Sequence, residues 1–130
     1  MDGLITIPSS LGPKETMDRL EAAVRGKGLT VFARVDHTAG AVAVGLALLP
    51  TEVLIFGNAR GGTPIMQAAQ TAGIDLPLKA LVWQDAEGKT WFSYNDPQWI
   101  EARHGVHVEG AAGALGAALA AFAKAATETA

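Results

Sequence analysis

The sequence contains no cysteine, which excludes disulfide bonds, zinc thiolate sites and thiol nucleophiles from its 130 residues. Charge is also scarce, since Asp, Glu, Lys and Arg make up only 18% of the chain. The ten Lys and Arg residues are scattered singly and the net charge is −3. Because nucleic-acid binding normally leaves a basic footprint, we expect no nucleic-acid partner. Without cysteine the chain suits a reducing compartment, so we expect a cytoplasmic protein.

Long apolar runs are missing as well. The uncharged stretches at residues 37–51 and 110–123 fall short of the ~20 apolar residues that a membrane helix needs. The N-terminus carries no basic segment followed by an apolar one, so we expect no signal peptide and no membrane association. The length predicts a single domain over residues 1–130. So few charges also favour a surface partly hidden in a homodimer.

Hydrophobic residues make up 49% of the chain, and their spacing predicts four strands and a leading edge strand. Alternation from Leu29 to Asp36 indicates a strand with one buried face. The continuous run Val53–Phe56 indicates a central strand buried on both faces. Ala86-Glu87-Gly88 predicts a hairpin between residues 78–85 and 89–94, and residues 4–7 predict the edge strand.

Helical spacing and capping residues predict the remaining elements. Met17, Leu20 and Val24 define the apolar face of a first helix. Thr38 is expected to cap a short helix, and Thr63 is expected to cap another with Pro64 at its first position. A short helix is then expected after Asn95-Asp96-Pro97. A long helix is expected through Leu115, Leu119 and Phe122. This order predicts an α+β fold with an antiparallel sheet and helices on one face.

Several short phrases resemble the bacterial domain-of-unknown-function 302 family when they are read in order: Val35-Asp36-His37, Phe56-Gly57-Asn58, Gly62-Thr63-Pro64 with Met66, Ile74-Asp75-Leu76-Pro77-Leu78 and Asn95-Asp96-Pro97. The resemblance covers nearly the whole chain. It implies a β-α-β4-α sandwich, similar to half of a TATA-binding protein, and a homodimer, but no established activity. Ala59 and Gln84 depart from it, where the family pattern has Pro and often an acidic residue.

The segment Gly57–Thr63 is the first candidate site. Amide groups at a helix N-terminus are unpaired and partly positive, glycines let a ligand approach them, and Arg60 adds a donor for phosphate or carboxylate. We therefore predict that a small, partly apolar anion binds at the set Gly57, Asn58, Arg60, Gly61, Gly62 and Thr63. The alternative is that the glycines only satisfy turn geometry. No P-loop or other cofactor motif is present, so no cofactor is predicted.

The adjacent pair Asp36-His37 is the second candidate, because a histidine beside a carboxylate can act as a general base near neutral pH. The alternative is that the pair only caps a turn. No serine lies in a nucleophile-elbow setting, which disfavours a Ser-His-Asp hydrolase.

His104 and His107 have metal-ligand spacing, but Gly105 interrupts the helix there and no third ligand is near in sequence, so no metal site is predicted. Trp83, Trp91, Phe92, Tyr94 and Trp99 could line a pocket, form a dimer face or fill the core. Three functions remain open: a binding module for a small anion, an acid–base enzyme using His37 and Asp36, and a structural protein acting by oligomerisation.

Overall fold

The five strands found in residues 1–129, the part that the computed structural model describes, form one antiparallel sheet. The strand order is β1-β5-β4-β3-β2, so β1 and β2 are the edges. The elements are, in chain order, β1 (Leu4–Ser9), α1 (Pro13–Gly26), β2 (Thr30–Asp36), α2 (His37–Ala43), β3 (Thr51–Gly57), α3 (Ala59–Ala68), a 3₁₀ helix (Gln70–Ile74), β4 (Leu78–Gln84), β5 (Thr90–Asn95), α4 (Pro97–Arg103) and α5 (Ala111–Thr127).

The predicted α+β class and the β-α-β4-α order are confirmed. Four consecutive strands, β2 to β5, follow α1 and precede α5. The helix α2, the helix α3 and the 3₁₀ helix lie between these strands, and α4 lies between β5 and α5. The predicted hairpin is present, with Trp83 opposite Trp91. Gly88 has a φ of 82°, the left-handed conformation that the turn requires.

The core lies between the sheet and the two long helices, α1 and α5. Leu54 and Phe56 of β3 are fully buried, and the Phe56 ring meets the edge of Phe122 at a centroid distance of 5.7 Å. The expected buried face of α1 is present, since Met17, Leu20 and Val24 are all completely buried. The helical period therefore selects the residues that cover the sheet.

An ion-pair network fastens α1 to the β2 edge of the sheet. Arg34 donates to both carboxylate oxygens of Glu52 on β3, at 2.8 and 3.0 Å. It also pairs with Asp18 and Glu21 on α1. Hydrogen bonds to Glu52, Asp18 and Glu21 raise the pKa of the Arg34 guanidinium against the opposing effect of burial. The partly buried Arg34 thus links α1 to both β2 and β3.

The aromatic residues of the hairpin divide between two environments. Phe92 and Tyr94 are buried in the core and pack edge to face, with their centroids 6.0 Å apart. Trp83 and Trp91 are half-buried and stacked, with a centroid distance of 6.1 Å. The Nε1 atom of Trp83 donates to Ser93, and that of Trp91 donates to Asp85.

Two predicted helix caps are wrong. Asn58, not Thr63, caps α3, so Thr63 and Pro64 lie inside the helix rather than at its start. Asp36, not Thr38, caps α2 by accepting a hydrogen bond from the Ala39 amide at 2.9 Å. Each helix starts earlier than predicted because another side chain that can accept a hydrogen bond lies upstream of the expected cap.

No helix within residues 1–129 combines the length and the apolar character that crossing a bilayer requires.

Candidate functional site

The start of α3 is built by two residues with distinct roles. Gly57 ends β3 with a φ of 154°, a conformation that favours glycine, and this lets the chain leave the sheet. Asn58 then caps the helix, because its Oδ1 accepts a hydrogen bond from the Gly61 amide at 2.8 Å. One of the amides that we expected to bind a ligand is therefore already paired.

A cavity of about 400 Å³ lies beside this helix start. It brings together five of the six predicted binding residues, namely Gly57, Asn58, Gly61, Gly62 and Thr63. The rest of its wall is apolar and comes from the start of β2, from α3, from α5 and from the segment that runs into β4: Leu29, Phe32, Met66, Leu76, Pro77, Leu78, Ala114, Leu115 and Ala118, together with Ala59. The volume is within the range of small-molecule sites, about 300–1,000 Å³.

The two helical glycines shape this cavity differently. A methyl group on Gly61 would come within 2.9 Å of Leu115 Cδ2, so the absence of a side chain lets α3 approach α5. A methyl group on Gly62 would meet Leu76 and Met66 at 3.6 Å, which is ordinary contact. Gly61 therefore serves helix packing, whereas Gly62 leaves space on the cavity wall.

Arg60, the sixth predicted residue, does not line the cavity. It is exposed in the first turn of α3 and borders two shallower depressions, both of which also involve Pro64. It forms no ion pair with any residue from 1 to 129. Five of the six predicted residues therefore line the cavity, and the sixth, Arg60, is a nearby cation without an ion-pair partner in residues 1–129.

The polar side chains on the cavity wall are those of Asn58 and Thr63. Within the described chain, neither the Asn58 side-chain NH₂ nor the Thr63 hydroxyl has a hydrogen-bond partner, although Asn58 Oδ1 is used by the helix cap. Such groups can orient the polar end of a ligand, while the apolar wall accepts its hydrocarbon part.

Asp36 and His37 do not form a hydrogen-bonded pair. The Asp36 carboxylate accepts from the Ala39 amide, and the exposed His37 ring has no hydrogen-bond partner among residues 1–129. Asp36 lines a polar depression with Arg34 and Glu52, but His37 does not. This geometry matches the capping interpretation more closely than the acid–base one.

A cluster that the sequence reasoning missed joins the 3₁₀ helix to the end of α4. His104 Nε2 contacts Asp75 Oδ2 at 2.6 Å, and its Nδ1 contacts the Thr71 hydroxyl at 2.8 Å. Arg103 donates to both oxygens of Asp75, at 2.8 and 2.9 Å. Burial raises the pKa of the Asp75 carboxyl, but hydrogen bonds and charge from His104 and Arg103 outweigh it and lower the pKa.

His104 and His107 point to different partners. His104 contacts Asp75, whereas His107 Nδ1 lies 3.3 Å from the buried Glu101, which also accepts a hydrogen bond from the Val108 amide. In the part of the chain that the structure describes, no three His, Asp or Glu side chains are grouped so that they could hold a metal ion. The only sequence signal for these contacts was the histidine spacing, which does not identify the partner of either ring.

Comparison with known families gives one match over most of the chain. The model of the family described as domain of unknown function DUF302 matches residues 5–126. A solved structure, that of an uncharacterized conserved DUF302 protein from Bacillus stearothermophilus, has a TM-score of 0.75 and covers 98% of this chain and 97% of its own. Its sequence identity is 22%, so it supports the fold alone.

Curated relatives match part of their own length. Proteins from Brucella suis biovar 1 and Brucella abortus biovar 1, both named fluoride-specific ion channel FluC 1, are 49% identical over 102 residues. A protein from Brucella melitensis biotype 1, named FluC 2, matches equally well. The matched region is 78% of this chain but only 38–40% of those proteins, so the chain spans about two fifths of their length.

Proposed function

The chain belongs to the DUF302 family, whose function is unknown, and we propose from the cavity at the start of α3 that it is a binding module for a small, partly apolar anion. The observation that carries the proposal is an apolar cavity of about 400 Å³ placed against the first turn of a helix. Its wall is supplied mainly by hydrocarbon side chains, and its polar groups are few. That distribution suits a ligand with a hydrocarbon body and one polar end.

The apolar part of the ligand would contact the side chains of α3, α5 and the segment before β4. Met66 and Leu115 line this space, as do the buried residues Leu76 and Leu78. Burying apolar surface here contributes roughly 25 cal/mol per Å². A short alkyl chain would therefore gain most of its binding free energy from these contacts.

The charged end of the ligand would lie toward the first turn of α3. The helix dipole makes that end partly positive, and the turn contains no acidic residue. Arg60 adds a positive charge that has no ion-pair partner within residues 1–129. A carboxylate or phosphate would reduce the repulsion between Arg60 and the helix N-terminus, which supports an anionic rather than a neutral end.

The name of the Brucella relatives does not extend the proposal to fluoride. Fluoride is a strongly hydrated ion with no apolar part, and an apolar wall offers it no replacement for water. Sodium fluoride is therefore a suitable negative ligand in the test below.

Thermal unfolding with octanoate tests the cavity, because octanoate combines an alkyl chain with a carboxylate. Ala118 lines the cavity and Ala117, its neighbour on α5, is exposed and does not. We expect octanoate to raise the Tm of the wild type and of Ala117→Leu by several degrees. The Ala118→Leu side chain would occupy the space, so the Tm of that variant should change by less than a third as much.

Two further ligands separate the parts of the proposal. Octylamine, with the same chain and the opposite charge, should stabilise the protein less than octanoate, and sodium fluoride should have no effect. If octanoate raised the Tm of Ala117→Leu and Ala118→Leu equally, the cavity would not be the binding site. Equal responses to octanoate and octylamine would leave an apolar site but contradict the preference for an anion.

A further inference from the structure

The segment between β2 and β3 projects from the end of the sheet as an apolar arm, which we define as residues 38–49. It contains α2 after its first residue and the chain that follows. No residue of α2 is buried, and every residue from 42 to 49 is exposed. The arm therefore contributes almost nothing to the core of its own chain.

The exposed side chains of the arm are large and aliphatic. Val42, Val44 and Leu46 are 66%, 72% and 66% exposed, and Leu48 and Leu49 are 44% and 50% exposed. Scattered single apolar residues are normal on a protein surface, but a contiguous group marks an interaction site. Half of the exposed large hydrophobic residues of the described chain belong to this short segment.

The arm holds its own shape without help from the core. The Thr38 hydroxyl donates to the Leu49 carbonyl and accepts from the Thr51 amide, both at 2.9 Å, which closes the base of the arm. The Leu46 amide donates to the Ala41 carbonyl at 2.9 Å, which folds the tip back on α2. A preformed surface loses little conformational entropy when it docks.

The size of the arm approaches what one partner contributes to a stable dimer. Its five large side chains present roughly 500 Å² of apolar surface, near the upper end for the largest patch on a monomer, which is about 300–600 Å². The exposed alanines and glycines between them extend this area. A standard interface takes about 800 Å² from each partner, so the arm and the adjoining Val35 on β2, itself 37% exposed, suit an interface of that class.

The charge pattern favours a second copy of this chain as the partner. No Asp, Glu, Lys or Arg occurs between Asp36 and Glu52, so the arm offers no charge to steer a basic or acidic partner. A two-fold dimer places the same patch of both chains together. For a chain with a net charge of −3, an uncharged patch avoids the like-charge repulsion that most of its surface would bring.

We propose that the arm docks against the arm of a second copy of this chain. The interface is two-fold, it buries Val42, Val44 and Leu46 of both copies, and it leaves the cavity beside α3 free. The C-terminal helix α5 is not part of it, since the large apolar residues Leu119 and Phe122 are already buried in the core of their own chain.

Light scattering coupled to gel filtration tests the proposal with a matched pair of variants. Val44→Asp/Leu46→Asp places two charges in each arm, and Ile74→Asp changes an equally exposed residue on the 3₁₀ helix. We expect dimers for the wild type and for Ile74→Asp at micromolar concentration. The arm variant should be a monomer with an unchanged circular dichroism spectrum, because both substituted side chains are mostly exposed and neither belongs to the core.

Two results would overturn the proposal, and an additional sedimentation measurement would then show what the arm contacts instead. A monomeric wild type would show that no second copy docks on the arm. A dimer that persists in Val44→Asp/Leu46→Asp places the interface elsewhere on the chain. A monomeric wild type that sediments with neutral phosphatidylcholine vesicles, while the arm variant does not, shows that the arm contacts a lipid surface instead.

Discussion

Arg60 stands where elementary electrostatics disfavours a cation. It is exposed in the first turn of α3, close to the partly positive end of the helix dipole. That turn holds no acidic residue, although Glu109 borders the same depression without pairing with Arg60. Lys27 provides the opposite case, because it caps the C-terminus of α1, where a cation is favourable. The two residues therefore allow the effect of helix position to be separated from that of net charge.

Replacing Arg60 with glutamate should stabilise the free protein and weaken anion binding. The gain is expected to be about 0.5 kcal/mol, since a charge near a helix end contributes roughly 0.3–1 kcal/mol. Lys27→Glu changes the net charge by the same amount and should destabilise by a similar margin. Urea unfolding of both variants checks the signs, and a loss of stability in Arg60→Glu would contradict the unpaired state of Arg60.

Single residues also show where sequence reasoning fails. Asn58, Thr63, Asp36 and Thr38 are all good caps, and the sequence does not say which member of each pair is used. The structure uses the upstream one in both cases. Because Pro64 lies inside α3, the Arg60 carbonyl lacks the amide hydrogen that would normally bond to it. A local sequence pattern shows this cost but not the packing of the longer helix that offsets it.

At the level of elements, the contact between Asp75 and His104 fastens the 3₁₀ helix to α4. The Asp75 side chain is only 11% exposed and that of His104 only 8%. The 3₁₀ helix leads directly into Leu76 and Pro77 on the cavity wall. This contact, together with the ion pair between Asp75 and Arg103, therefore holds one side of the proposed binding site in place.

Replacing Asp75 with asparagine should destabilise the protein by about 2 kcal/mol, the usual contribution of hydrogen bonds to a charged group. The folded-state pKa of Asp75 is lowered, so the wild type keeps this stabilisation above the unfolded-state pKa of about 3.9 and loses it as the pH falls through the lower folded value. The loss on substitution should therefore be full at pH 6 and should shrink as the pH falls below about 3.9.

Denaturant unfolding at several pH values measures this, with the exposed Asp2→Asn as the control. A constant difference in stability between wild type and Asp75→Asn across the acid range would contradict the ion pair.

Periodicity predicted the strands and helices that this contact joins, because burial of one face is a local property. It could not predict the contact itself, since 29 residues separate Asp75 from His104.

At the level of the whole molecule, the cavity exists only because distant segments meet. Leu29, Met66, Leu76 and Leu115 come from four parts of the chain. The sequence predicted the glycine-rich segment Gly57–Thr63, whose composition is informative by itself. It did not predict which side chains form the apolar wall, nor that Arg60 would lie just outside it, because both depend on how α3 and α5 pack.

The three methionines allow the cavity to be tested most directly. Met66 lines it, Met17 is completely buried in the core and Met1 is fully exposed. With ¹³C-labelled methionine methyl groups, titration with octanoate should shift the Met66 resonance saturably and leave those of Met17 and Met1 in place. A Met66 resonance that does not move, or three resonances that shift together, would contradict binding in the cavity.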